Sequence, residues 1–208
     1  MLYEYLINTY GENEPILLSD IQTKDMSYVN IRQQIKKLTD EGLLKRYDTG
    51  IYYIPKKSLF KSGTPLSRDK VITCKYLREG DDCCGYMSGL IIANQLGLTT
   101  QVPMVCEVVT NKATTDYRET TLANSRIIIR RPRVTITNDN YKSLQFLDLM
   151  KDIDIYSEIE LSQLTNRLLT YMSKVNLSFS DLEDYLPYYP DKIYKNMYET
   201  RLLNGISA

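Results

Sequence analysis

Residues 27–54 read SYVNIRQQIKKLTDEGLLKRYDTGIYYI, and their order of signals decides the fold of the first part of the chain. Ser27 is a natural N-cap, and Gly42 stands where a helix over 28–41 would need a left-handed residue to stop. Ile31, Ile35 and Leu38 recur at i, i+4 and i+7, which makes one apolar stripe. At about 100° per residue, Val29, Arg32, Gln33, Lys36, Lys37 and Asp40 fall on the opposite side. Two short β-prone runs follow, Leu43–Tyr47 and Ile51–Ile54, around Asp48-Thr49-Gly50, and they predict a hairpin.

Working outward, residues 1–10 place Leu2, Tyr5, Leu6, Ile7 and Tyr10 at helical spacing, with Gly11 ending the run. Leu17-Leu18-Ser19-Asp20-Ile21 reads as a short second helix. Helix, short helix, longer helix with a basic outer face and then a hairpin is the winged helix-turn-helix plan. A helix of that kind fits the major groove. Ser27 would cap it, Asn30 and Gln33 could read base edges, and Arg32, Lys36 and Lys37 could meet phosphates. Lys45 and Arg46 in the hairpin would reach the flanking backbone. The same module also serves in protein–protein contact, so an adaptor that never touches DNA stays open as the alternative.

The 26 basic and 26 acidic side chains of the 208 residues cancel, but not evenly. Residues 24–61 hold nine bases against four acids, and 112–133 hold six against two, whereas 1–23 are purely acidic and 148–208 hold ten acids against six bases. The two basic blocks are candidate polyanion contacts. The sequence contains no His, which excludes Ser-His and Cys-His catalysis and any His-ligated metal site. Tyr, at 18, is abundant and suits surfaces that are partly apolar and partly wet. The first residues lack the basic and apolar runs of a signal peptide, and no stretch nears the roughly 18 apolar residues of a membrane span. Cys74, Cys83, Cys84 and Cys106 show no C-x-x-C spacing. A reducing cytoplasm is the expected compartment.

PKKSLFKSGTP, beginning at Pro55, reads as a linker over 57–66, separating a domain over 1–56 from one over 67–208. The second domain reads as mixed α and β, so the expected fold class of the chain is α+β. Helices are expected over 67–77 and 90–96, strands over 102–110 and 126–131 with a weaker one near 118–122, and then a helical tail over 141–150, 158–175, 181–186 and 191–203. Ser180-x-x-Glu183 matches a capping box. Pro132 blocks ladder pairing, which would put Arg130, Arg131 and Arg133 at a sheet edge.

Catalytic readings of this half are weak. Glu107 and Lys112 are too far apart in sequence for a nuclease acidic-x-Lys pair, and a divalent ion would need several convergent carboxylates. Gly85-x-x-Ser88-Gly89 lacks the Lys-Ser/Thr of a P-loop. No enzyme activity, cofactor or metal is expected.

Leu17-x-Ser19-Asp20-Ile21, the 27–38 helix with Glu41-Gly42-Leu43-Leu44, Arg46-Tyr47 and Gly50-Ile51-Tyr52 resemble the N-terminal winged helix of the AbiEi antitoxin family. Gly85-Tyr86-x-Ser88-Gly89-Leu90, Ala93-Asn94-x-Leu96-Gly97-Leu98-Thr99-Thr100-Gln101-Val102-Pro103 and Ile128-x-Arg130-Arg131-Pro132 resemble the family's C-terminal domain. The resemblance runs from near Leu17 to near Leu149. It implies a cytoplasmic bacterial antitoxin whose winged helix binds operator repeats and represses its own operon. It also implies a nucleotidyltransferase-like toxin as partner and a link to phage defence. A basic C-terminal surface would fall on Arg118, Arg126, Arg130, Arg131 and Arg133. The neutral overall charge and acidic tail depart from that pattern.

Overall fold

A computed structural model describes residues 1–23, 26–56 and 64–203. The chain is mixed α+β, 45% helical and 19% strand. It forms two compact units, Met1–Lys75 and Tyr76–Ala208. Most of the expected linker, 57–63, lies outside the described residues.

In the first unit, α1 (Leu2–Tyr10) buries Leu2 and Leu6. The chain then forms β1 (Ile16–Leu17), a 3₁₀ turn (Leu18–Asp20), α2 (Tyr28–Asp40), β2 (Lys45–Asp48), β3 (Ile51–Tyr53) and α3 (Arg68–Ile72). The short second helix expected over 17–21 is present as a 3₁₀ helix over Leu18–Asp20 alone, with Leu17 taken into the two-residue strand. Ile16 and Leu17 pair antiparallel with Tyr52 and Ile51, and this long-range ladder outcompetes any local helical preference. Strand β3 lies at the centre of the three-stranded sheet. Ile31 and Ile35 of α2 join Leu2, Leu6, Ile16, Ile21, Leu44 and Ile54 in one core. Lys70 of α3 donates to the Asn13 carbonyl at 3.3 Å and pairs with Glu14, so residues from 67 to 75 belong with this unit. The helix expected over 67–77 keeps α-geometry only to Ile72, with wider π-type turns over Thr73–Leu77.

The second unit opens with a small hairpin, β4 (Arg78–Glu79) and β5 (Asp82–Cys83). Next come β6 (Gly85–Ser88), α4 (Leu90–Gln95), β7 (Cys106–Thr110), β8 (Tyr117–Leu122) and β9 (Ser125–Arg130). Their sheet has the order β6-β7-β9-β8, with β7 and β9 parallel and the other pairs antiparallel. Strand β9 is thus interior, not at the edge that Pro132 suggested. Strand β7 starts only at Cys106, leaving Val102 and Met104 exposed in the preceding loop.

The tail builds α5 (Tyr141–Lys151), α6 (Ile153–Tyr156), α7 (Leu161–Lys174), α8 (Ser180–Glu183) and α9 (Lys192–Glu199). These helices share one core with the sheet through Tyr86, Val109, Phe146, Leu147, Leu168 and Ile193. Tyr86 donates its hydroxyl to Asp148 at 2.8 Å, and burial pushes its phenol far above the ordinary range, so it stays a donor. The expected capping box is shifted by two residues. Ser178 N–H reaches Asp181 Oδ2 at 2.7 Å, and Asp181 N–H reaches Ser178 Oγ at 3.3 Å.

The Gly97–Gln101 segment is held by one carboxylate. Glu158 accepts from Gln101 Nε2 at 2.6 Å, Thr99 Oγ1 at 2.7 Å and Thr100 N at 2.9 Å. Gly97 ends α4 at φ 69°, and the Arg167 guanidinium donates to its carbonyl and fills the space a Cβ would need.

The Gln101 hydrogen bond, followed by those of Thr99 and Thr100, lowers the Glu158 pKa from 4.5 to about 2. A carboxyl depressed on folding stabilises the native state above its unfolded pKa and loses that contribution as pH falls through the folded value. In urea unfolding, the stability advantage of the wild type over Glu158→Gln should shrink between about pH 4.5 and about pH 2. An advantage that does not change with pH would refute the clamp. Gly97→Ala should lower stability by about 1 kcal/mol or more, measured the same way, because it adds left-handed strain and displaces Arg167.

Candidate nucleic-acid interface

The site grows from the two ends of α2. Ser27 Oγ accepts from Asn30 N at 3.3 Å and starts the helix. At the other end Gly42, at φ 76°, lets Leu43 N–H return to the Leu38 carbonyl at 2.9 Å and Gly42 N–H to Thr39 O at 3.1 Å. Those paired bonds are a Schellman stop. Between them the burial of Ile31 and Ile35 fixes the rotation of the helix. Asn30, Arg32, Gln33, Lys36 and Lys37 all emerge on the exposed side, together with Tyr28 and Val29.

The electrostatics of this face favour an external anion. Lys37 lies 3.9 Å from Glu41, but both are well exposed, and such a pair is worth only about 0.3–0.5 kcal/mol. Arg32 sits 5.9 Å from the centroid of the Tyr28 ring, a cation–π contact that aligns the guanidinium without neutralising it. Residue spacing alone did not reveal that contact, although an i, i+4 Tyr–Arg pair is a usable signal for it.

In the hairpin, Lys45 is half-buried and Arg46 exposed. Arg46 is committed to the turn: Nε donates to the Asp48 carbonyl at 3.3 Å and Nη2 to Thr49 Oγ1 at 3.1 Å. A β-bulge between Arg46 and Asp48 accompanies this turn. The guanidinium therefore braces the loop tip while keeping its charge exposed.

The second unit distributes its arginines differently. Arg126 pairs with Glu119 at 2.8 Å, and Glu119 is held below the usual carboxylate range by the Tyr117 hydroxyl and then by Arg126. Arg131 pairs with Asp116 at 3.1 Å and donates to the Thr114 carbonyl. Arg130 is only 26% exposed and pairs with Glu107, itself 20% exposed. Arg133 donates to the Tyr188 carbonyl at 3.2 Å and lies over the Tyr189 ring. Arg118 is exposed on β8. Three of the five predicted positions thus carry their own carboxylate, which reduces the field they offer to a polyanion.

Glu107 and Lys112 take separate partners, since Lys112 Nζ donates to the Arg78 carbonyl at 2.8 Å. Among the described residues no group of three or more Cys, Asp and Glu side chains could hold a metal. The Cys83 and Cys84 thiols are buried against the Gly85 and Tyr76 carbonyls, and burial pushes the Cys84 thiol up, away from thiolate chemistry. No helix of the described residues is long and apolar enough to cross a membrane.

Ser27→Ala should cost about 1 kcal/mol in urea unfolding by removing the cap of α2 while leaving its outward side chains unchanged. No loss of stability would mean that Ser27 does not set the start of the helix. No protein-family model matches this sequence, and no curated protein matches it.

Proposed function

We propose that the first unit is a winged helix-turn-helix that binds double-stranded DNA, with α2 as recognition helix and the β2–β3 hairpin as wing. The observation that carries the reading is the exposed side of α2, where Arg32, Lys36 and Lys37 flank Gln33, with Asn30 beside Lys37, and where among the described residues the cations have no strong carboxylate partner. Lysines and arginine on the shoulders supply phosphate contacts, the Gln33 amide can read base edges, and Asn30, on the shoulder, can reach a base edge or a phosphate. Lys45 and the braced Arg46 extend the cationic surface to the flanking backbone.

The sequence resemblance to AbiEi-type antitoxins supports a finer reading: a cytoplasmic autorepressor that binds operator repeats upstream of its own operon and counteracts a nucleotidyltransferase-like toxin. The second unit would carry the antitoxin activity. A protein-interaction adaptor is the second reading, and the exposure of Tyr28 and Val29, apolar residues in the first turn of α2, is the observation that favours it.

Titration of the purified chain against DNA from upstream of its own gene, with a scrambled duplex as control, separates the two. The DNA reading expects tight binding that prefers the upstream duplex and a log–log salt slope of about −0.9 per phosphate neutralised. Lys36→Ala and Lys37→Ala should each flatten that slope by about 1 and weaken all duplexes alike, whereas Gln33→Ala should relax the preference at one position. Absence of binding to any duplex at low salt, with a protein partner co-purifying, would favour the adaptor.

A further inference from the structure

We propose that Val29 and Gln33 form the base-reading crest of α2 and specify an A·T-containing step, with Gln33 on an adenine and Val29 against the methyl group of a thymine. The inference rests on the DNA-binding reading and adds the sequence class it selects. Ile31 and Ile35 point into the core. At about 100° per residue, Val29 and Gln33 therefore lie almost diametrically outward, one turn apart. Arg32 and Lys36 occupy one shoulder of that crest, and Asn30 and Lys37 the other. A helix seated in the major groove turns its crest to the base edges and its shoulders to the two phosphate strands, which is the order of chemistry found here.

Val29 is the informative member. It is 62% exposed on the outward crest, where Gln33 and the acidic Asp40 two turns further on are polar, while the other exposed apolar residue, Tyr28, lies off the crest under Arg32. The only apolar group a base pair presents in the major groove is the thymine 5-methyl. Gln33, with a donor and an acceptor on one planar amide, matches adenine N6 and N7. One helical turn spans about 5.4 Å and successive bases rise about 3.4 Å, so the two residues meet bases one or two steps apart. The Tyr28–Arg32 contact holds the neighbouring shoulder in place.

The test begins with selection of bound duplexes from a randomised pool by the full chain. Each thymine of the selected site is then replaced by deoxyuracil, which removes only the methyl group. One replacement should weaken the wild type about fourfold, the value of one buried methyl. Val29→Ala should bind the unmodified duplex about fourfold more weakly and lose nothing further on the uracil duplex. Its thermal midpoint should match the wild type, since Val29 is exposed. If salt-sensitive binding persists but no uracil replacement changes it, or Val29→Ala remains as sensitive as the wild type, the crest assignment is overturned while DNA binding stands. If the pool yields no salt-sensitive duplex, the DNA-binding reading fails and this one falls with it.

Discussion

Burial of Ile31 and Ile35 is the constraint on which the account depends. Each side chain is almost fully removed from solvent, and each such burial is worth about 1.5–3 kcal/mol. The exposed Lys37–Glu41 contact contributes a small fraction of that. The apolar stripe, not the surface charges, therefore fixes the rotation of α2. Once it is fixed, Val29, Arg32, Gln33, Lys36 and Lys37 have nowhere to go but outward. The core thus determines which side chains α2 presents to solvent.

The second unit uses polar residues in a contrasting way. Glu158, Asp148, Glu107 and Asp116 are each engaged by donors from distant parts of the chain. The parallel pairing of β7 with β9 brings Glu107 beside Arg130, so a side chain that reads as surface charge becomes a partly buried ion pair. Such a pair resists loss of either partner alone, because the other would be left charged and poorly solvated. On α2, by contrast, Arg32, Lys36 and Lys37 stand exposed, and the carboxylate that approaches them, Glu41, lies 3.9 Å from Lys37.

What was legible in the sequence was local. The Ser27 cap, the Ile31–Ile35–Leu38 spacing and Gly42 announce α2 because each acts within a few residues of itself. The Asp48-Thr49-Gly50 turn did the same for the hairpin. Most of what was missed came from partners far along the chain. Strand β1 exists because Ile51 and Tyr52 complete its ladder, and no local rule distinguishes that from a helical turn. Glu158 gave no sign that it would gather Thr99, Thr100 and Gln101. The capping box over 178–181 was hidden by a rival Ser-x-x-Glu two residues on, and spacing alone cannot rank them. At the candidate interface the exposed residues were readable from periodicity, while the compensation of Arg126, Arg130 and Arg131 by carboxylates needed the sheet register.

The most direct measurement of the central claim is a residue-resolved map of amide perturbation on adding a duplex from upstream of the gene. The largest changes should fall on residues 27–37 and on the hairpin at 45–49, and they should weaken together as salt rises. Changes confined to the second unit, with α2 undisturbed at low salt, would contradict that claim.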